Sequence, residues 1–337
     1  MATATKSAKP PLRRINSIRW LTYLLGISET DLWTLADNAG GLYRSFDISK
    51  GLRADGTDKG WRHIDHPRDE LERVQGRIYK VLLEPLAVSM PDYLTGGMPG
   101  RSVIDNASPH IDRKAVVGLD IHNCFPSIPN KRVYEVWRND LGHSTAIATL
   151  LTKLTTLHGH LPQGAPTSPM LCNLALAPVA AEVHAMVTPQ GLLLTLYVDD
   201  LTISGDPVVA RAAIEPVIDT VNRHGYKISH SKVPIMDANE IQRTTGVKVN
   251  NVLTVERKKQ QEIIRDIKRI GALGHQATTY DINHIWGVIG FVKYVHPAHG
   301  KRLERIAAAE IGDIVGRFVP RQQDRRRTCQ SMRASHK

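Results

Sequence analysis

Apolar residues at Ile18, Leu21, Leu24 and Leu25 recur at the spacing of one helix face and predict an N-terminal helical segment. Ser28-Glu29-Thr30-Asp31 offers a second helix start. From Tyr43 to His66 the pattern turns strand-like on either side of residues 51–60, which read as a hairpin loop. Leu71, Val74, Ile78, Val81 and Leu82 share one face of a helix between Pro67 and Leu86. Ala115 to Ile121 is a short apolar strand, and Lys131 to Leu157 is largely helical. Two prolines and a glycine make Leu161 to Thr167 a loop. Ser168 as N-cap and Pro169 at the first helical position open a helix that bends at Pro178. Val208 to His224 is helical and stops at Gly225. Lys227 to Ile235 and Thr245 to Val255 are extended, and the chain from Glu256 onward is helical. This mixed order argues for an α+β fold, a sheet with helices on one side, and against a doubly wound nucleotide-binding sheet.

Within this pattern the chemistry concentrates at Tyr197-Val198-Asp199-Asp200. Apolar runs at Leu192–Leu196 and Leu201–Ser204 flank it, so it reads as strand, tight turn, strand with two carboxylates at the tip. Alone, Asp-Asp is a common solvated turn. A third acid, Asp120, ends the apolar run Val116–Leu119 and by itself is equally a strand-end cap. Together the three carboxylates suit two Mg²⁺ ions about 4 Å apart, the arrangement that clamps attacking and leaving oxygens in phosphoryl transfer.

The 337 residues suffice for two or three subdomains, and no apolar stretch is expected to span a bilayer. The N-terminus lacks the apolar segment of a signal peptide. Cys124, Cys172 and Cys329 show no CxxC spacing, which fits a reducing cytoplasm and no zinc site. His158-Gly159-His160 has no carboxylate or cysteine nearby in sequence and reads as a loop. The formal charge of +11 points to a polyphosphate partner. Six basic residues, Arg257, Lys258, Lys259, Arg265, Lys268 and Arg269, cluster on one predicted helix, and seven more lie between Gly316 and Lys337.

Three blocks, in order, resemble the reverse transcriptase family: Leu119-Asp120-Ile121-His122-Asn123-Cys124-Phe125, the loop from Leu161 to Pro169, and Tyr197-Val198-Asp199-Asp200. Asn106-Ala107-Ser108-Pro109-His110 resembles the Asn-Ala-x-x-His element of the retron type. Thr244-Thr245-Gly246 resembles its Val-Thr-Gly element, with Thr244 where Val is usual. Residues 287–297 resemble a retron thumb segment. The resemblance implies a right-hand polymerase fold: a helical extension over 1–40, fingers over 41–115 and 131–160, an antiparallel palm over 116–130 and 161–249, a helical thumb over 250–315, and a mobile basic tail over 316–337.

It also implies roles. Asp120 and Asp199 bind both metals, Asp200 completes the shell, and Ile121 lies with them. Oxygen ligands suit Mn²⁺ as well as Mg²⁺. Phe125 lies under the incoming sugar and selects deoxynucleotides, unless it is a core residue. Gln163 and Gly164 approach the template–nucleotide pair. Lys59 and Arg62 hold the triphosphate, though a solvated basic loop looks the same, and Lys232 lies near the leaving pyrophosphate. Asn106, His110, Thr245 and Gly246 contact the structured RNA, although sequence alone favours a polar loop contact for Asn106 and His110. The basic helix residues meet a duplex backbone or solvent.

A retron-type enzyme implies a cognate non-coding RNA as primer and template, deoxynucleoside triphosphates, and priming from a guanosine 2′-hydroxyl. It further implies a branched RNA–DNA product and phage defence with a separate effector protein. Two alternatives stay open: another compact bacterial reverse transcriptase, and a polymerase-fold protein that only binds RNA. On the retron reading, replacing His110 impairs use of the cognate RNA and spares a plain annealed primer.

Overall fold

The computed structural model describes residues 14–50, 60–229 and 233–318, the last six by backbone alone. Lys59, Lys232 and the tail beyond 318 lie outside the described residues, so the expectations placed on them are untouched. The chain divides into two compact units, 1–240 and 241–337.

The first unit opens with helices α1 (Ile18–Leu25) and α2 (Glu29–Asn38). Ser28 caps α2 by accepting from the Asp31 amide, as its sequence suggests. Strands β1 (Tyr43–Ser49) and β2 (Trp61–Pro67) pair in antiparallel register from Tyr43↔Pro67 to Ser49↔Trp61. Helix α3 (Asp69–Ile78) buries Leu71, Val74 and Ile78 and widens into a π-turn over Tyr79–Leu83. A short helix α4 (Val103–Ala107), closed by a Ser102–Asp105 capping box, leads into the turn Ser108–His110.

Strand β3 (Ala115–Asp120) follows, then α5 (Cys124–Ser127), α6 (Asn130–Glu135) and α7 (Thr145–Thr155). The single helical stretch expected over 131–157 is interrupted at 141–144, where Gly142 takes a positive φ of 72°. Helix α8 (Ser168–Val187) starts one residue earlier than expected, with Thr167 as N-cap. The Ser168 amide already bonds to the Ala165 carbonyl at 3.1 Å, so the preceding loop supplies the first turn. Pro178 lies inside α8 without ending it.

The segment 168–190 is long and apolar enough to cross a membrane, which corrects the expectation that no such stretch exists. In this fold much of that segment is buried, with Met170, Leu171, Leu176 and Val183 in the core. Strands β4 (Leu193–Tyr197) and β5 (Asp200–Gly205), helices α9 (Pro207–Ala212) and α10 (Ile214–Arg223), and β6 (Ile235–Asp237) complete the unit. The helix expected over 208–224 is thus two helices meeting at Ala213. The sheet order is β4-β5-β3-β6, antiparallel throughout, which is the expected α+β arrangement.

In the second unit β7 (Arg243–Thr244) and β8 (Val247–Lys248) form a minimal hairpin. Thr245 and Gly246 form its tip with φ of 47° and 78°, the paired positive values of a type I′ turn. Three helices follow: α11 (Arg257–Leu273), α12 (Thr279–Val295) and α13 (Pro297–Phe318). Ile263, Ile267 and Ile270 form the buried stripe of α11.

Candidate active site

The sheet register brings the three acids together. Asp200 begins β5 opposite Tyr197 on β4 and opposite Asp120 on β3. The Ile121 amide donates to the Asp199 carbonyl at 2.9 Å and extends the ladder past the last formal pair. One ligand oxygen from each of Asp120, Asp199 and Asp200 lies within 4.8 Å of the others, and all three residues are half-buried. Among the described residues this is the cluster that offers a metal ion three ligands, and His158 and His160 do not form one.

Burial raises the carboxyl of Asp199, and Asp120 adds to the shift while Arg62 and Lys50 oppose it. Asp200 is pushed up to about 7, first by burial and then by the charges of Asp199 and Asp120. Crowded carboxylates of this kind resist full ionisation unless a cation joins them. An all-oxygen donor set with excess negative charge fits a hard divalent ion. Ile121 is in place, but its side chain is buried and apolar, so any ligand it offers is from its backbone.

The β1–β2 hairpin supplies the local positive charge. Arg62 acts on both Asp199 and Asp200, and Lys50, which the sequence reading did not single out, acts on Asp199. The loop before α8 docks on this hairpin: the Asp65 amide donates to the Gln163 carbonyl at 2.8 Å. Gly164 has a φ of 120°, and a β-carbon there would lie 2.7 Å from Ile64 Cγ2, so only glycine fits this approach. Gln163 and Gly164 thus stand beside the strand that carries Arg62. Phe125, half-buried on α5, follows Asp120 by five positions and packs partly into the core.

Ser229 is a second residue missed from sequence. Its hydroxyl donates to Asp120 Oδ2 at 2.8 Å, and its amide to the Asp120 carbonyl at 2.8 Å. It lines an open cavity of about 790 Å³ with His122, Asn222, Gly225, Tyr226, Lys227 and Ile228. Beside the site, Cys124 and Cys172 place their sulfurs 3.4 Å apart, and that contact together with burial raises the Cys124 thiol.

The expected RNA contacts of Asn106 and His110 need correction. Both residues are 0% exposed, so neither side chain can touch a bound RNA. Asn106 Oδ1 accepts from the Thr95 hydroxyl at 2.7 Å. The two ring nitrogens of His110 lie 2.7 Å from Ser204 Oγ and 2.8 Å from Thr195 Oγ1. In the second unit, described by itself, Gly246 is exposed and Thr245 half-exposed at the hairpin tip. All six basic residues of α11 are exposed, with Lys259 paired to Glu262 at 3.2 Å and Arg269 to Asp266 at 3.7 Å.

Residues 54–265 match the reverse transcriptase (RNA-dependent DNA polymerase) family. The chain is 32% identical over 270 residues to the retron Mx65 reverse transcriptase of Myxococcus xanthus, covering 73% of this chain and 61% of that one. It is 28% identical over 294 residues to the retron Ec86 reverse transcriptase of Escherichia coli, with coverages of 86% and 88%. It is 27% identical over 334 residues to the retron Se72 reverse transcriptase of Salmonella heidelberg, with coverages of 96% and 84%. The chain therefore spans less than two thirds of the Mx65 protein and most of the other two. A solved telomerase from Candida albicans, in complex with a fragment of telomeric RNA, aligns with a TM-score of 0.47 at 9% identity, over 78% of this chain and 56% of that chain.

Proposed function

The chain belongs to the reverse transcriptase family, and from that premise we propose that it is a retron-type RNA-directed DNA polymerase. The observation that carries this reading is the convergence of Asp120, Asp199 and Asp200 at the end of two paired strands. These acids would hold two divalent cations, Mg²⁺ or Mn²⁺, which when bound would supply charge neutralisation and orientation to the transferring phosphoryl group.

The chain's own groups divide the remaining work. Ser229 fixes one oxygen of Asp120. Arg62 and Lys50 set positive charge opposite the acids, where the polyphosphate of a deoxynucleoside triphosphate is drawn in. Gln163 and Gly164 bring backbone close to the nascent base pair, and Phe125 lies at the sugar. The hairpin β1–β2 belongs to the fingers, the four-stranded sheet and the Gln163 loop to the palm, and α11–α13 to the thumb.

The similarity to retron enzymes supports the finer proposals. The partner is a structured non-coding RNA that serves as primer and template. Synthesis starts from a guanosine 2′-hydroxyl and leaves a branched RNA–DNA molecule. The enzyme works in the cytoplasm, to which its scattered cysteines are suited, and takes part in phage defence with a separate effector protein.

The test is to express the gene with its flanking DNA, extract the copurifying nucleic acid, and compare it with and without RNase on a denaturing gel. A DNA band that shortens after RNase and keeps a few ribonucleotides at a branch is the expected result. RNA without DNA would overturn the retron reading and point to an RNA-binding protein or to a polymerase that needs a different primer. In the same assay Asp199→Asn is expected to lose DNA by at least about 100-fold while retaining the RNA.

A further inference from the structure

The polar interior of the first unit carries a role for His110 that its sequence context does not suggest. The Ser102–Asp105 capping box fixes the start of α4, and the turn at Ser108-Pro109 delivers the His110 ring into the core. There it joins two strands at once, β5 through Ser204 and β4 through Thr195. Thr195 lies four residues before Asp199, and Ser204 lies four residues after Asp200. In the ladder Thr195 opposes Thr202 and Ser204 opposes Leu193, so the imidazole spans a diagonal pair on one face of the catalytic hairpin.

The Thr195 hydroxyl also lies 3.4 Å from the Asn106 carbonyl. Burial, with Arg113 adding to it, holds the imidazole down to about 4, so the ring is neutral and supplies one donor and one acceptor. In either tautomer it gives an N–H to one hydroxyl and a lone pair to the other, so both ring nitrogens are satisfied inside the protein. Asn106 adds a further link, because Thr95 bonds its side chain and also donates its amide to the Leu196 carbonyl.

We infer that His110 is a positioning residue that holds β4 and β5 at the spacing at which Asp199 and Asp200 bind metal, so that the Asn106–His110 element serves the catalytic hairpin from inside the protein and not the RNA directly. This rests on the assignment of the acids as metal ligands. Residues that orient metal ligands through hydrogen bonds change metal affinity or activity by about 10–100-fold when lost. Removing the ring nitrogens would leave two buried hydroxyls without their partner and free the two arms to shift.

The experiment compares His110→Phe, which keeps a ring and loses both bonds, with His110→Gln, whose amide can serve both hydroxyls. Four quantities are measured on the full chain well below its unfolding temperature. They are Mn²⁺ affinity by calorimetry without nucleic acid, kcat and nucleotide KM on a plain annealed DNA primer on RNA, and affinity for the cognate RNA. The expected result for His110→Phe is an about tenfold or greater loss of Mn²⁺ affinity and of kcat. Nucleotide KM and RNA affinity should stay within about twofold, and His110→Gln should recover most of the loss. Wild-type Mn²⁺ affinity and kcat in His110→Phe, with or without loss of RNA binding, would overturn the inference. If His110→Phe does not fold, Thr195→Val and Ser204→Ala decide, and unchanged Mn²⁺ affinity in both would overturn it. If the wild-type chain binds Mn²⁺ but extends no primer, the polymerase reading fails, while the metal titrations still judge His110.

Discussion

Gly96 and Val198 stand so close that a β-carbon on Gly96 would lie 2.3 Å from the Val198 amide nitrogen. The contact arises because residues 93–96 run alongside the outer edge of β4. Leu94 bridges Leu196 in parallel, Leu196 donates to the Tyr93 carbonyl at 2.7 Å, and Thr95 donates to the Leu196 carbonyl at 2.8 Å. Arg101 keeps this segment in shape by donating to the carbonyls of Met90, Pro91 and Leu94. Val198 itself holds a φ of 60°, a conformation that a β-branched residue adopts only when its surroundings impose it. The strained turn carrying Asp199 is thus braced by backbone it meets from outside the sheet.

Gly96→Ala is therefore expected to act on catalysis more than on folding. The added methyl meets backbone atoms of Tyr197 and Val198, which cannot rotate away as a side chain can. Relief requires a shift of the turn by a good fraction of an ångström, and a misplacement of about 1 Å costs on the order of 100-fold in rate. Steady-state extension of an annealed primer should show that loss in kcat, with a folded protein by circular dichroism. Wild-type kcat in Gly96→Ala would show that the turn does not need this brace.

Metal-free protein should carry a pH signature of the acid cluster. Asp200 titrates near 7 in the folded chain, whereas a carboxylate in the unfolded chain titrates near 4. Between those values the folded state binds more protons, so this group's contribution falls as pH rises through the window and levels off above about 7. His110 runs the opposite way below about 6.5, because it stays neutral when folded and protonates when unfolded. The Asp200 part is isolated by comparing wild type with Asp200→Asn in urea unfolding from pH 5 to 8 with chelator present. The variant is expected to gain on wild type by on the order of 2 kcal/mol across that range, and added Mn²⁺ should reverse the gain. A constant difference between the two proteins would mean that the carboxylates do not repel as their burial requires.

The acids were legible in the sequence because each ends an apolar run, and period and charge together mark a strand tip. The Gln163-Gly164 loop was legible for a similar reason, since its prolines and glycine exclude regular structure. What escaped the sequence are contacts between distant segments. Ser229 meets Asp120 across 109 positions, and His110 meets Thr195 across 85. Neither partner carries a local pattern that announces the other. Asn106 and His110 read as surface loop residues because polar side chains usually are, and only the fold shows them saturated inside. Gly96-Gly97 offered no distinguishing signal, since the equally adjacent Gly40 and Gly41 stand in open space, and nothing in the sequence named Val198 as the neighbour.

Residues 241–337 contain 19 Lys and Arg against 8 Asp and Glu, so the chain's entire excess of +11 falls in the second unit. On α11 this charge is sorted. At about 100° per residue, Arg257, Lys258, Arg265, Lys268 and Arg269 fall within an arc of about 120°, and the buried Ile263, Ile267 and Ile270 lie on the other side. A helix that needed only solubility would have no reason to gather one sign of charge on one face, whereas a phosphate backbone rewards that arrangement through counterion release. Arg265→Gln and Lys268→Gln should each lower the salt dependence of RNA–DNA duplex binding by about one unit of d log K/d log[salt]. Their thermal midpoints should barely move, since both side chains are exposed. Filter binding between 50 and 300 mM salt measures the slopes. If both slopes match wild type, the basic face of α11 faces solvent, and the phosphate contacts belong elsewhere on the chain.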